Sequence, residues 1–172
     1  LRDHPRFAHY LDERTINALA QSAPLHDIGK VGIPDHILLK PGKLTPEEWE
    51  IMKTHAELGS NAIAQAEADA EKPVEFLAIA KLIARSHHEK WDGSGYPDAL
   101  AGDAIPIAAR LMALADVFDA LTCKRVYKPA FTFDDAYRII VDGRGSHFDP
   151  DIVDAFVREY PTFMSIAKAY AE

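Results

Sequence analysis

The sequence predicts an all-α protein, a single compact bundle of about six to seven helices. Three observations carry this. Helix-start signals recur along the chain, at Asp12, Thr45-Pro46, Pro73, Pro106, Thr132 and Asp149-Pro150. Between them, apolar residues repeat at three- and four-residue spacing, and no stretch alternates long enough to make a convincing strand. The 172 residues are 48% hydrophobic and 27% charged, which supplies one sizeable core without an internal repeat or a linker.

Asp12 caps a first helix expected to run from about Glu13 to about Asp27, with Gly29 stopping it. The stretch from Val31 to Leu44, holding Pro34, Pro41 and Gly42, reads as a loop. In Thr45-Pro46-Glu47-Glu48, Thr45 caps, Pro46 takes the first helical position and Glu48 completes a capping box, so a second helix should reach about Ala68. Asp69 to Lys72 is a polar break, after which Pro73 opens a third helix to about His88. Trp91 to Pro106, with Gly93, Gly95, Pro97 and Gly102, reads as an ordered loop. Pro106 opens a fourth helix to about Leu121, Thr132 with Asp135 a fifth, and Asp149-Pro150 a sixth, with Pro161 setting off a last short helix.

The bulk properties exclude some functions. With 27 acidic against 19 basic residues the net charge is −8, so binding DNA through its phosphates is not expected. The most apolar stretch, Ile105 to Leu121, is interrupted by Arg110, Asp116 and Asp119 and is no membrane span. A single cysteine, Cys123, leaves no internal disulfide, and Leu1-Arg2 is neither an initiator Met nor an apolar leader; a cytoplasmic location is expected. If an acidic protein acts on a phosphate ester, local cations must offset its charge.

Four helices carry ligand-type residues on an apolar stripe. Ile16, Leu19, Ala20 and Ala23 lead to His26 and Asp27; Ile51, Leu58 and Ala62 share a face with His55; Phe76, Ala80 and Ile83 lead to His87, with His88 beside it; Ala109 and Met112 lead to Asp116. Taken singly, each histidine reads as a hydrogen-bonded core residue. A carboxylate on a core-facing stripe is costly to desolvate unless it is paired or bound to a cation. Histidines from three positions and two carboxylates can share one such partner, a metal. Imidazole and carboxylate donors without thiolate suit iron, manganese, nickel, cobalt or zinc. Six candidates exceed what one tetrahedral zinc needs, so two or more divalent transition-metal ions are expected. Asp27, with two oxygens, is the natural bridge and a catalytic residue, and paired ions could hold a bridging hydroxide and clamp a phosphate. His4, His9, His36 and His147 stand in polar or loop settings and read as surface or capping residues.

At His26-Asp27-Ile28-Gly29-Lys30 and Trp91-Asp92-Gly93-Ser94-Gly95-Tyr96-Pro97 the chain resembles the HD-GYP family of bacterial phosphodiesterases, a branch of the HD phosphohydrolase superfamily. Lys53-Thr54-His55, His87-His88-Glu89, the run Ala115 to Thr122, Arg125-Val126-Tyr127-Lys128 and Phe148-Asp149-Pro150 follow in the family's order. The resemblance implies an HD-type helical bundle that hydrolyses cyclic di-GMP to pGpG or GMP. It implies His26, Asp27, His55, His87, His88 and Asp116 as metal ligands. Lys30, Arg125 and Lys128 match positions that contact substrate phosphates, and Lys30 is the second expected catalytic residue. Gly95, Tyr96 and Pro97 would shape the substrate site and meet diguanylate-cyclase (GGDEF) domains. Trp91 and Tyr96 offer aromatic faces on which guanine could stack.

The family pattern also includes an upstream ligand histidine, in a Glu-x-x-x-His type segment roughly one helix before the His-Asp pair. Only 25 residues precede His26, and His4 and His9 lack that context. Residues 1–172 are therefore expected to be one HD-GYP domain without that helix and without an N-terminal receiver or sensor domain. Apolar surface left by the helix could favour a homodimer. The competing expectation is a cyclic di-GMP-binding or GGDEF-interacting signalling module with little hydrolysis. The six candidate ligands present argue against it, because such a module has no need of them.

Overall fold

The computed structural model describes residues 1–72, 74–123 and 131–170. In these the chain runs α1 (Glu13–Ser22), α2 (Asp35–Leu38), α3 (Pro46–Lys53), α4 (His55–Ala68), α5 (Glu75–Ser86), α6 (Ile107–Thr122), α7 (Phe133–Asp142) and α8 (Pro150–Tyr170). Among the described residues there is no strand, only isolated bridges between Asp92 and Ala101 and between Arg144 and Phe148. None of the described helices is long and apolar enough to cross a membrane.

The expected start signals at Asp12, Thr45 and Thr132 operate as caps. Their side chains accept from the N–H groups of Thr15, Glu48 and Asp135, and the Thr45–Glu48 capping box closes in both directions. Other boundaries differ from expectation. The first helix ends at Ser22 because Pro24 has no N–H to continue the ladder, and the chain tightens into 3₁₀ turns at Ala23–Leu25 and Ile28–Gly32. Within the expected loop after Val31, Pro34 introduces the short α2. The long helix expected from Pro46 to Ala68 is two helices divided at Thr54. There the Thr54 hydroxyl donates to the Ile51 carbonyl at 2.6 Å and the His55 ring holds the Met52 carbonyl at 2.6 Å, taking acceptors a continuous helix would use. The third helix begins at Glu75; Pro73 lies outside the described residues. At the other end α8 runs through Pro161 without a break. Pro161 is exposed and the carbonyl it leaves unpaired belongs to partly exposed Val157, while Phe156 and Phe163 on the other face pack edge-on against Phe118.

The largest core joins Phe7 and Leu11 of the N-terminal segment to Leu114 and Phe118 of α6, Ile140 of α7, and Ile152, Val153 and Phe156 of α8. The second region centres on α5. Its Ile79 and Ile83 pack with Ala18 of α1 and Ala108 of α6, while its Ala80 and Ala84 pack with Ile63 of α4. Held on both flanks, α5 delivers its C-terminal end to the interior, and that end carries His87 and His88.

Candidate metal centre

All the candidate ligands but Asp116 stand where an element stops or starts. His26 and Asp27 occupy the bend after α1, His55 opens α4, His87 is the residue that ends α5, and Asp116 lies in the middle of α6. The turn after Asp27 is pressed onto α4. A Cβ on Gly29 would stand 1.9 Å from the His55 carbonyl oxygen and 2.4 Å from the Gly59 nitrogen, so only glycine permits this approach, and the approach brings Asp27 beside His55. The stripes expected on the first two helices are out of phase with this packing. Ile16, Ile51 and Leu58 are each about two-fifths exposed, and the residues actually buried are Ala18 and Ser22 on α1 and Ala56, Gly59, Ser60 and Ile63 on α4.

The two oxygens of Asp27 face different neighbours. Oδ1 lies 3.4 Å from His55 Nε2 and 3.8 Å from His87 Nε2; Oδ2 lies 3.4 Å from His26 Nε2 and accepts from Lys30 Nζ at 2.5 Å. His26 Nε2 is in turn 3.6 Å from Asp116 Oδ1, and the Nε2 atoms of His55 and His88 meet at 3.1 Å. Donor atoms of Asp27, His55, His87 and His88 all fall within 4.8 Å of one another, with His26 and Asp116 adjoining.

Three of the rings are oriented by backbone carbonyls at Nδ1: His26 by Ala23 at 2.8 Å, His55 by Met52 at 2.6 Å and His87 by Ile83 at 2.9 Å. A carbonyl only accepts, so Nδ1 carries the proton and, in the neutral ring, Nε2 is left with its lone pair turned toward the cluster. Burial pushes His87 down to about 4. Burial, with the neighbouring His87 and His55, pushes His88 to about 3, so both rings are neutral at pH 7. For Asp27 burial acts upward, but Lys30, His26 and His87 hold the carboxyl below its usual range; His26 and its neighbours do the same for Asp116. The Asp116 carboxylate, 3.6 Å from Nε2, raises His26 against the effect of burial.

Asp27 Oδ1 and His87 Nε2 are buried without a hydrogen-bond partner. Leaving such atoms unsatisfied costs about 1–3 kcal/mol each. A divalent cation is the partner both can share, and the nitrogen and oxygen donors fit one. The cluster thus has the donors, the protonation and the unmet bonding capacity of a metal site.

Around it, the loop after α5 folds back on the histidines. A Cβ on Gly95 would meet the His88 carbonyl oxygen and Glu89 Cα at 2.5 Å, and the Tyr96 N–H donates to that same carbonyl at 3.3 Å. The Tyr96 ring stacks on His88, centroids 4.8 Å apart. Glu89, read from the sequence only as part of the His87-His88-Glu89 motif, is buried and accepts from the N–H groups of Asp98 and Leu100 at 2.7 and 3.0 Å, pinning the loop beyond Pro97. Its position directly after His87-His88 was the available signal. Trp91 is committed elsewhere. The guanidinium carbons of Arg6 and Arg110 lie 5.4 and 5.5 Å from its ring, so it is not a free face for a base. Trp49 of α3 instead meets Tyr96 edge-to-face at 6.1 Å, a placement no spacing in the sequence indicated. Arg125 and Lys128 lie outside the described residues. Asp119 is exposed and near Cys123, His9 and His36 are exposed, and His4 Nδ1 accepts from the Arg6 N–H at 3.3 Å. His147 departs from its expected surface setting: it is half-buried, stacked on Phe148 at 4.2 Å, and burial lowers its pKa.

A family model of the HD domain matches residues 7–152. The chain belongs to the HD domain family. Among curated relatives of this HD domain, a probable cyclic di-GMP phosphodiesterase of Vibrio cholerae serotype O1 is 54% identical over 167 residues, covering 97% of the chain and 38% of the relative. A cyclic di-GMP phosphodiesterase of the same organism is 55% identical over 168 residues, covering 98% and 34%. The cyclic di-GMP phosphodiesterase response regulator RpfG of Xanthomonas campestris pv. campestris is 47% identical over 148 residues, covering 86% and 38%. The HD domain chain therefore spans little more than a third of the length of these relatives.

Proposed function

We propose that this HD domain is the catalytic domain of a metal-dependent phosphodiesterase that hydrolyses cyclic di-GMP to pGpG or GMP. The observation that carries the reading is the pair of buried, unpartnered atoms, Asp27 Oδ1 and His87 Nε2, beside the neutral imidazole of His88 and within reach of His55 and His26. The names of the relatives supply the substrate class. In this reading His26, Asp27, His55, His87, His88 and Asp116 hold two divalent transition-metal ions, iron, manganese or nickel. The division of neighbours between Oδ1 and Oδ2 of Asp27 supports a shared carboxylate. Bound ions supply Lewis-acid polarisation of a phosphoryl oxygen and a water of lowered pKa.

The chain's own residues do the rest. The carbonyls of Ala23, Met52 and Ile83 hold three imidazoles in the ligating tautomer. Lys30, 40% exposed at its side chain and ion-paired to Asp27, has its ammonium at the edge of the cluster, where a substrate phosphate oxygen can compete for it. Tyr96, whose phenol burial keeps neutral, closes the site on the His88 side. Arg125 and Lys128 complete the phosphate contacts in this reading, and the Gly95-Tyr96-Pro97 loop is the surface offered to a GGDEF domain. Because the relatives are more than twice as long and one is a response regulator, the reading makes residues 1–172 one domain of a longer protein that carries a receiver or sensor domain.

The test is metal analysis of the purified protein by mass spectrometry together with a nucleotide-product assay on cyclic di-GMP. Two ions per chain and the appearance of pGpG or GMP are expected. A protein that holds its metal and leaves cyclic di-GMP intact would overturn the substrate assignment; one that holds no metal would overturn the site.

A further inference from the structure

Resting on the phosphodiesterase reading, we infer that Trp49 forms a stacking platform for a nucleobase of the substrate. Three rings run outward from the cluster: His88, Tyr96 stacked on it at 4.8 Å with 24° between the planes, and Trp49 meeting Tyr96 at 6.1 Å and 84°. No residue of α3 is buried, and Trp49 is 45% exposed, so the indole is not the anchor that holds its helix to the core. A large aromatic kept partly in water, fixed by its contact with a ring that itself touches a candidate ligand, is placed for a partner that arrives from solution. A dinucleotide whose phosphodiester lies over the cluster carries each base one ribose away from the phosphorus, and Trp49 stands one ring beyond the Tyr96 layer.

Lys53, one turn further along α3, adds chemistry to the platform. Its Nζ lies 5.8 Å from the Tyr96 centroid and is paired at 2.8 Å with Glu50, an exposed carboxylate that holds it weakly. A guanine edge presents two acceptors, O6 and N7, whereas adenine presents a donor at N6, so an ammonium at this position favours guanine. Trp49 and Lys53 follow one another at i and i+4 on α3, a helix separate from the α4 that opens with His55.

The experiment uses the metal-loaded, full-length protein and two substrates, cyclic di-GMP and the base-free diester bis(p-nitrophenyl) phosphate. Base–aromatic stacking predicts that Trp49→Leu lowers the ratio of kcat/KM for cyclic di-GMP to kcat/KM for the base-free diester by about tenfold, chiefly through KM. Trp49→Phe, which keeps an aromatic face, should retain most of the ratio. Calorimetric titration of metal-stripped protein with cyclic di-GMP should show the same order of affinities, wild type, then Phe, then Leu. If Leu and Phe variants behave alike, or if both substrates lose equally, the indole is a packing residue and the inference fails while the phosphodiesterase reading stands. If wild-type protein cleaves the base-free diester yet neither binds nor cleaves cyclic di-GMP, the functional reading itself fails and the platform falls with it.

Discussion

At Asp27 one carboxylate meets two sets of neighbours, His55 and His87 on Oδ1 and His26 and Lys30 on Oδ2. This residue is the junction of the cluster, and Asp27→Ala should remove bound metal and hydrolysis together while far-UV circular dichroism stays helical. Unchanged metal stoichiometry in that variant would sink the shared-carboxylate role. Lys30 is a different case, because its ammonium competes with a cation for Oδ2 instead of supplying a donor. Lys30→Ala should keep its metal and lose on the order of 10²–10³ in turnover of cyclic di-GMP, the usual cost of one preorganised charge donor. A variant that loses metal in step with rate would mean that Lys30 orients Asp27 and does not serve the substrate. The histidines also show why residue type alone was an incomplete guide. His147 shares its chemistry with His87, but its ring is stacked on Phe148 and has no carboxylate within pairing distance among the described contacts.

At the scale of elements, the site depends on two surfaces meeting without side chains between them. Gly29 lies against Gly59, and Gly95 lies against the His88–Lys90 backbone. Gly29→Ala forces a methyl group into backbone atoms that cannot swing aside, so α4 or the turn must move. The expected cost is about 3 kcal/mol, which corresponds to a fall on the order of 10 °C in Tm, with reduced metal binding because His55 moves too. A melt within 2 °C or so of wild type would show that the turn yields easily. Capping residues were legible in the sequence because they are local: Thr45 needs only Glu48 and Pro46. The division at Thr54 was not, since it depends on a threonine and a histidine side chain taking carbonyls that a continuous helix would have used. That division also explains why Ile51 and Leu58 read as buried and are not, for a stripe drawn through one helix loses its phase when the helix becomes two.

For the whole molecule, Asp149 ties separate parts of the chain together. Its fully buried carboxylate accepts from Arg6 at 3.1 Å, from Arg110 at 3.0 Å and from the Asp151 N–H at 3.0 Å, joining the N-terminal segment, α6 and the start of α8. Trp91, from the loop that follows the ligand histidines, packs against both guanidinium groups. Asp149→Ala removes the one fully buried carboxylate of the network and leaves Arg110 with the exposed Asp103 at 2.9 Å and backbone carbonyls, and breaking a buried pair in this way costs up to about 3–5 kcal/mol. Thermal unfolding followed by circular dichroism should show a Tm lower by on the order of 10 °C. Adding Arg110→Met should recover part of it, since the apolar pair removes the stranded charge. No recovery in the double variant would place the cost in the lost cap of α8 instead. Because none of the network's residues is a candidate ligand or a proposed substrate contact, cyclic di-GMP turnover per folded molecule should fall less than the melt.

The sequence by itself determined the helical class, most helix starts, and the six residues His26, Asp27, His55, His87, His88 and Asp116 as one candidate set. These follow from local chemistry: a cap, a proline or a histidine after an apolar run acts through its near neighbours. The tertiary structure alone decided how the set is arranged: that Asp27 is shared between two groups, that three rings are locked at Nδ1, and that two buried atoms have no partner. It also decided that Trp91 belongs to the Arg6–Arg110–Asp149 network while Trp49, 47 residues before Tyr96 in the chain, stands beside it. The physical reason is that burial, unsatisfied bonding capacity and ring contacts are properties of pairs distant in sequence; the close approach of backbones at Gly29 brings Asp27 beside His55, and that at Gly95 lays Tyr96 on His88.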